Sequence, residues 1–288
     1  VEKWKMKLVI TTLASTLIVF SAHAADLGHA DVSDEVIKTQ RDNLAINTKG
    51  IGFGPQSPRD IDSKSGVNKR VFSEAPAYTE MNLCNIHFHQ NAEHKGGEFT
   101  QYAGNGDGKG YGTGYKYSGN LTDKELRPLD HEICPSEHQA LFPGDTIEVH
   151  YVHSTAQVKP GPTLGACLSD AVVNPQLRVE TQVYVLVNDD QAADFSKLTE
   201  HSVVNGLHQA INIPSDTGIP VQYEGSTTGP GYNEKASPLK VSWSVRPQVS
   251  KVNISSVGEW CKQNTFDEDH AHGVRNLVIN TELLSEIE

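Results

Sequence analysis

The sequence predicts a mainly β fold, antiparallel for the most part, with a few short helices at its periphery. Three observations carry that expectation. The segments "LCNIHFHQ" (83–90), "TIEVHYVHS" (146–154), "RVETQVYVLVND" (178–189) and "LKVSWSVRPQVS" (239–250) alternate polar and apolar residues. They are rich in Val, Ile, Tyr and Trp, the composition of half-buried strands. Glycine and proline clusters such as "FPGD", "KPGPTLG" and "TTGPGYN" punctuate them, as turns require. Helical periodicity is confined to "DVSDEVIKTQRDNLA" (31–45), "DFSKLTEHSVVNGLHQA" (194–210) and "SSVGEWCKQ" (255–263). No repeat and no linker divides the chain, so residues 25–288 are read as one domain.

The first 24 residues stand apart. Lys3, Lys5 and Lys7 form a basic start, Leu8 to Phe20 an apolar stretch, and Ala22-His23-Ala24 a small-x-small cleavage signal. That is the anatomy of a secretory signal peptide, and the apolar run is too short to span a bilayer comfortably. Without this segment the chain loses three lysines and one glutamate, and its formal charge moves from −12 to −14. A chain this acidic argues against nucleic acid as a partner, because that binding rests on Lys and Arg neutralising phosphates. The charge is read as a solubility feature. No other segment resembles a membrane span, so a periplasmic or secreted protein without stable membrane association is expected. In an oxidising compartment Cys84, Cys134, Cys167 and Cys261 would form one or two disulfides, with three pairings open.

The stretch "GNGDGKGYGTGYKY" (104–117) is not a dinucleotide fingerprint, because no apolar strand leads into it and no helix follows. It also lacks the acidic ligands and closing glutamate of a calcium loop. A flexible surface loop is expected there.

The chemistry is concentrated in histidines. If 84–89 is extended, Asn85, His87 and His89 share one face, and Cys84, Ile86 and Phe88 share the other. The two imidazoles then stand about 7 Å apart at the backbone, a spacing from which both can converge on one ion. A catalytic zinc takes a third protein ligand and keeps a fourth position open. In "TIEVHYVHS", Glu148, His150 and Val152 share a face, while Val149, Tyr151 and His153 share the opposite one. If the two strands are neighbours, His150 joins His87 and His89. Asn85 and Glu148 then flank the ligands as acceptors that fix their tautomers. A lone histidine on a polar face is ordinarily a surface residue. An H-x-H and an E-x-H, each with a polar neighbour on its own face, point to a metal instead. His131, His138, His201 and His208 lack such a context and are expected at the surface, and His270 and His272 in "DEDHAHGVRN" are expected to be solvated.

These residues resemble the carbonic anhydrases of the alpha class and, more closely, the related delta class. The resemblance is carried by "GPQSPRDID" (54–62), "IHFHQNAEH" (86–94), "IEVHYVH" (147–153) and "YEGSTTGPGYNEKASPLKVSWSVRP" (223–247), which follow the family's order. It implies a large, twisted, mostly antiparallel sheet with peripheral short helices. It implies zinc as cofactor, held by His87, His89 and His150. Asn85 and Glu148 then stand where the family orients its ligands, and Thr228 where it has the threonine that aims a zinc-bound hydroxide. Val152 falls on the apolar wall that receives carbon dioxide. The implied activity is the interconversion of carbon dioxide and bicarbonate by hydroxide attack.

The departures from the family pattern matter. About fifty residues separate the two ligand strands, far more than in alpha-class enzymes, and leave two similar copies, "NAEH" and "PSEH". The glutamate that accepts the threonine's hydrogen bond is therefore Glu93, which keeps the spacing to the first ligand pair, or Glu137, which keeps the spacing to the second strand. Glu93 is favoured. The segment between residues 62 and 85 is too short for the family's proton-relaying histidine, and Gly229 replaces the second threonine of the TTPP stretch. Two other readings stand beside this one: a non-catalytic periplasmic zinc-binding protein on the same fold, and a zinc hydrolase acting on activated esters.

Overall fold

The structure, a computed structural model, describes residues 31–70 and 72–288; the segment read as a signal peptide lies outside them. A five-stranded sheet organises the chain. It is built from β1 (Asn82–Gln90), β4 (Thr146–Ser154), β5 (Leu177–Val187), β8 (Val221–Ser226) and β9 (Lys240–Asn253) in the order β1-β4-β5-β9-β8. All neighbours are antiparallel except β5 and β9. The four alternating segments of the sequence thus become β1, β4, β5 and β9. Pro247 has no N–H for a ladder, and the β5–β9 register shifts where it sits, between Thr181↔Val245 and Val183↔Val249.

Every residue of β4 and β5 is buried, so the sheet is covered on both faces. One face packs Ile86, Phe88, Val149, Tyr151 and Tyr184 under helix α3 (Ile254–Lys262), which contributes Val257 and Trp260. Asn253 caps α3 by accepting the Ser255 N–H at 3.0 Å, an N-cap bond that satisfies an orphan donor. The other face gathers Cys84, Val152, Val179, Val241, Trp243 and Val245. Burying each such side chain stabilises the fold by roughly 1.5–3 kcal/mol. Helix α1 (Asp34–Thr48) begins with Asp34 and Glu35, which suit the positive end of its dipole. It lays Leu44 against Val278, Leu283 and Leu284 of the C-terminal segment.

Three expectations about the fold fail. Cys84 lies on the face of Val152 and Trp243 and not with Ile86 and Phe88, because the β1–β4 register shifts between Leu83 and Asn85, an irregularity that breaks strict alternation. The helical reading of 194–210 holds only for α2 (Phe195–Leu198); the rest is a hairpin of β6 (His201–Val204) and β7 (Leu207–Ala210). Asn205 and Gly206 both have positive φ, the conformation that an Asn-Gly dipeptide supplies to a tight hairpin. That local turn preference overrides the weak helical periodicity. The glycine-rich stretch also differs from a flexible surface loop. It forms the hairpin of β2 (Gln101–Asn105) and β3 (Thr113–Lys116). The tip is fixed by the Asp107 carboxylate, which accepts the N–H groups of Lys109 (2.7 Å) and Tyr111 (3.1 Å).

Two disulfides are present, Cys84–Cys167 and Cys134–Cys261. The first ties β1 to the loop after β4, and the second ties the segment between β3 and β4 to α3. Among the described residues no helix is long and apolar enough to cross a membrane. Native protein should therefore show no titratable thiol. Cross-links closing loops of 83 and 127 residues each constrain the unfolded chain, and loss of either by a Cys→Ser pair should cost about 2–5 kcal/mol in denaturant unfolding. Four free thiols in native protein would contradict the pairing.

His153 supplies a pH prediction. It is buried beside Tyr78, its Nδ1–H donates to the Tyr151 carbonyl at 3.0 Å, and burial pushes its imidazole down to about 3. Unfolded, the same ring takes up a proton near pH 6.5. The folded state therefore loses stability as pH falls from 6.5 towards 3. In His153→Phe the drop in unfolding free energy between pH 7 and pH 5 should be smaller by about 2 kcal/mol. An unchanged drop would contradict it.

Candidate metal centre

The pairing of β1 with β4 sets His87 opposite His150, His89 opposite Glu148 and Asn85 opposite Val152. Strand alternation turns all six towards the Trp243 side of the sheet. Ligand-capable nitrogens of His87, His89 and His150 lie within 4.8 Å of one another, on the floor of a cavity of about 290 Å³. Val152, Val179, Val241 and Trp243 form its apolar wall, and Thr228 lines it as well.

Hydrogen bonds decide which nitrogen of each ring is free. Asn85 Nδ2 donates to the Gly161 carbonyl at 3.0 Å, so Asn85 Oδ1 is the acceptor for His87 Nδ1–H at 2.6 Å. The lone pair of His87 is then on Nε2. His89 Nδ1–H donates to the Gly273 carbonyl at 3.1 Å, which leaves His89 Nε2 buried with no hydrogen-bond partner. His150 Nε2–H donates to Glu148 Oε1 at 2.7 Å, leaving its lone pair on Nδ1. That atom faces His87 Nε2 at 3.2 Å. Two facing lone pairs and one orphaned buried nitrogen are costly alone; a cation between them resolves both. Burial, reinforced by His150, His89 and His272, holds His87 well below the usual imidazole range. Burial likewise pulls His89 down to about 4. Both rings stay neutral, as metal ligands must. The donor set fits a metal ion.

Beneath the rings lies a polar chain. Glu148 Oε1 also lies 2.7 Å from His94 Nδ1, and Oε2 accepts the His94 N–H at 3.1 Å. Burial pushes the Glu148 carboxyl up, but His94 and the hydrogen bonds from His150 and His94 together hold it well below the carboxylate range. His94 Nε2 meets the Tyr223 hydroxyl at 2.7 Å, which donates to Ser57 Oγ at 3.0 Å. His94, Glu148 and His150 also lie close enough together to hold an ion, but their facing atoms are already joined by hydrogen bonds.

Of the two candidate glutamates, Glu93 is buried beside the rings, 3.7 Å from His89 Nδ1 and 4.0 Å from His150 Nε2. Its Oε1 accepts the Arg275 N–H at 3.1 Å, and its Oε2 has no hydrogen-bond partner. Glu137 is 88% exposed and pairs loosely with His138. Thr228 and Glu93 are not hydrogen-bonded to one another.

Sequence reasoning missed several groups here. His94 sits inside a quoted segment, but only the folded register shows that it shares Glu148 with His150. His272 is not simply solvated. Its backbone pairs with Phe88 and Gln90 (2.9 and 3.0 Å), and its ring lines the cavity 5.8–5.9 Å from those of His87 and His89. Burial pulls His272 down, but the Glu268 hydrogen bond and charge outweigh it and raise the ring. Tyr111, from the glycine-rich hairpin, lines the same cavity.

The fold and this constellation meet a known family. The delta carbonic anhydrase family model matches residues 78–256, more than half of the chain, and the chain belongs to that family. No curated protein sequence matches it. Among solved structures, the alpha-carbonic anhydrase of Photobacterium profundum is 14% identical, with 85% of this chain and 95% of that chain covered and a TM-score of 0.26. The alpha-carbonic anhydrase of Thermovibrio ammonificans, solved with the inhibitor sulfanilamide, is 16% identical, with 87% and 96% covered and a TM-score of 0.27. A carbonic anhydrase of Chlamydomonas reinhardtii in complex with acetazolamide is 16% identical, with 78% and 87% covered and a TM-score of 0.28.

If the three rings hold one ion, His150→Ala should abolish tight zinc binding, because it removes one of three donors and strands Glu148. The exposed His131→Ala should leave occupancy intact. Equal zinc content in wild type and His150→Ala after dialysis, by elemental analysis, would refute the site.

Proposed function

We propose that the chain is a zinc-dependent carbonic anhydrase that interconverts carbon dioxide and bicarbonate. The observation that supports this best is the set of three converging imidazole lone pairs beside an apolar wall in a member of the delta family. Three neutral nitrogen donors suit zinc. His87, His89 and His150 would hold the ion, with Asn85, the Gly273 carbonyl and Glu148 fixing the rings. Zinc bound there supplies a Lewis acid that brings the pKa of a coordinated water to about 7.

The remaining work belongs to the chain's own residues. Val152, with Val179, Val241 and Trp243, offers carbon dioxide an apolar surface. Thr228 would donate its hydroxyl proton to Glu93 Oε2, whose lone pairs are unclaimed, once the two are brought within hydrogen-bond reach, and would keep an oxygen lone pair for the metal side. With that polarity the Thr228 oxygen would act as an acceptor on the metal side and so would orient a proton-donating group held there. The Arg275 N–H holds the other oxygen of Glu93 in place. The two disulfides support an oxidising compartment; with residues 1–24 read as a cleaved leader, the mature protein would work in the periplasm or outside the cell.

Carbon dioxide hydration, measured beside ester hydrolysis on zinc-loaded protein, tests this reading. Hydration far exceeding ester turnover is expected. Ester turnover alone would favour a hydrolase, and full zinc with neither activity a non-catalytic zinc-binding protein. Glu93→Gln should keep its zinc but lose about 10²-fold or more in hydration rate, because the amide can donate to Thr228 and reverse the hydrogen-bond polarity. Glu137→Gln should be nearly silent. The reverse pattern would transfer the role to Glu137.

A further inference from the structure

The glycine-rich hairpin supplies none of the three candidate ligands, yet its tip is built onto the cavity mouth. Gly110 accepts the Val274 N–H at 2.8 Å, and a Cβ at Gly110 would lie 2.7 Å from Pro230 Cβ and 2.9 Å from the Val274 carbonyl. A Cβ at Gly273 would meet the Gly110 carbonyl group at 3.0 Å. Pro230 and Gly273 both line the cavity. The tip is therefore wedged between two sections of the rim by backbone contacts that only glycine permits at positive φ. Asp107 locks it from behind through the Lys109 and Tyr111 N–H groups. Tyr111, the side chain that follows Gly110, reaches into the cavity. Its ring is stacked on His138, with centroids 3.5 Å apart and planes 15° from parallel. His138 belongs to the "PSEH" segment, so two parts of the long connection between the ligand strands meet at this point.

We propose that Tyr111, propped by His138 and carried on this wedged tip, sets the size of the molecules that reach the three histidines. Small linear species pass, and ring-bearing ones are disfavoured. A fixed aromatic wall excludes by shape, and it does so best when neither its backbone nor its ring can yield. The wedge immobilises the first and the stack the second. This inference rests on the metal reading of the site, but not on carbon dioxide turnover.

The test uses cobalt-substituted protein and follows the visible absorption of the ion during titration with two probes, thiocyanate and sulfanilamide. Tyr111→Ala should tighten sulfanilamide about tenfold while thiocyanate stays within about twofold, the selectivity expected when a steric wall is removed. Tyr111→Phe should behave as wild type, because the ring and not the hydroxyl obstructs. His138→Ala, a substitution at the surface, should give a smaller gain in the same direction, and it decides the matter should Tyr111→Ala not fold. Equal changes for both probes, no change, or weaker sulfanilamide binding in Tyr111→Ala would overturn the proposal; the last would mean that the ring is a platform and not a barrier. If wild type takes up no cobalt, the metal reading falls and this one with it. If cobalt binds and the probes are discriminated as expected but carbon dioxide is not hydrated, only the catalytic reading falls.

Discussion

A slip of one residue between β1 and β4 would turn Ile86 and Phe88 towards the cavity and bury His87 and His89 under α3. The site exists because that slip is forbidden. Strand side chains alternate with a period of two, so register is strongly held wherever one face is apolar. Here Ile86, Phe88, Val149 and Tyr151 on the α3 side impose it. The Cys84–Cys167 disulfide adds a covalent tie at the start of the same strand. The hydrophobic packing of one face thus positions the polar chemistry of the other.

That polar face is expensive to bury, and its arrangement reflects the cost. Glu148 lies in the sheet interior and is compensated by His94 and His150 together. Glu93 is compensated on one oxygen by the Arg275 N–H. The Arg275 guanidinium is itself buried and donates to the Ser57 carbonyl at 2.6 Å; burial lowers it to about 10, with Glu93 opposing that shift. Removing one member of such a buried network typically costs about 3–5 kcal/mol, because the other charge is left unpaired. The network is therefore weak evidence for stability in itself. Its use is orientation: each acceptor fixes one ring nitrogen and so directs the other at a common point.

Much of this was legible in the sequence. Strands β1, β4, β5 and β9 are long and alternating, so their type could be read, and the face shared by His87 and His89 followed from period two alone. The convergence with His150 needed β1 and β4 to be neighbours, which the family resemblance supported and the register now shows. The errors share a physical cause. The segment 194–210 carries a helical spacing, but Asn205-Gly206 supplies a turn whose positive φ values no spacing argument weighs. The glycine-rich stretch reads as flexible because glycine has the most conformational freedom to lose on folding; in the fold Gly110 permits close packing against Pro230 and Val274. The acidic neighbours of His272 point to a solvated ring, yet the residue pairs with β1 through its backbone, a long-range contact invisible in local composition. Spacing ranks Glu93 above Glu137 without separating them; the fold buries Glu93 beside the rings and leaves Glu137 exposed, which supports that ranking.

The central claim is that three imidazoles, each directed by an outer hydrogen bond, form one metal site. X-ray absorption at the zinc edge of the zinc-loaded protein tests it most directly. The account predicts a four-coordinate ion with three imidazole nitrogens and one lighter oxygen-type neighbour, all at about 2.0–2.1 Å. A first shell containing sulfur, or one with two imidazoles or fewer, would contradict it.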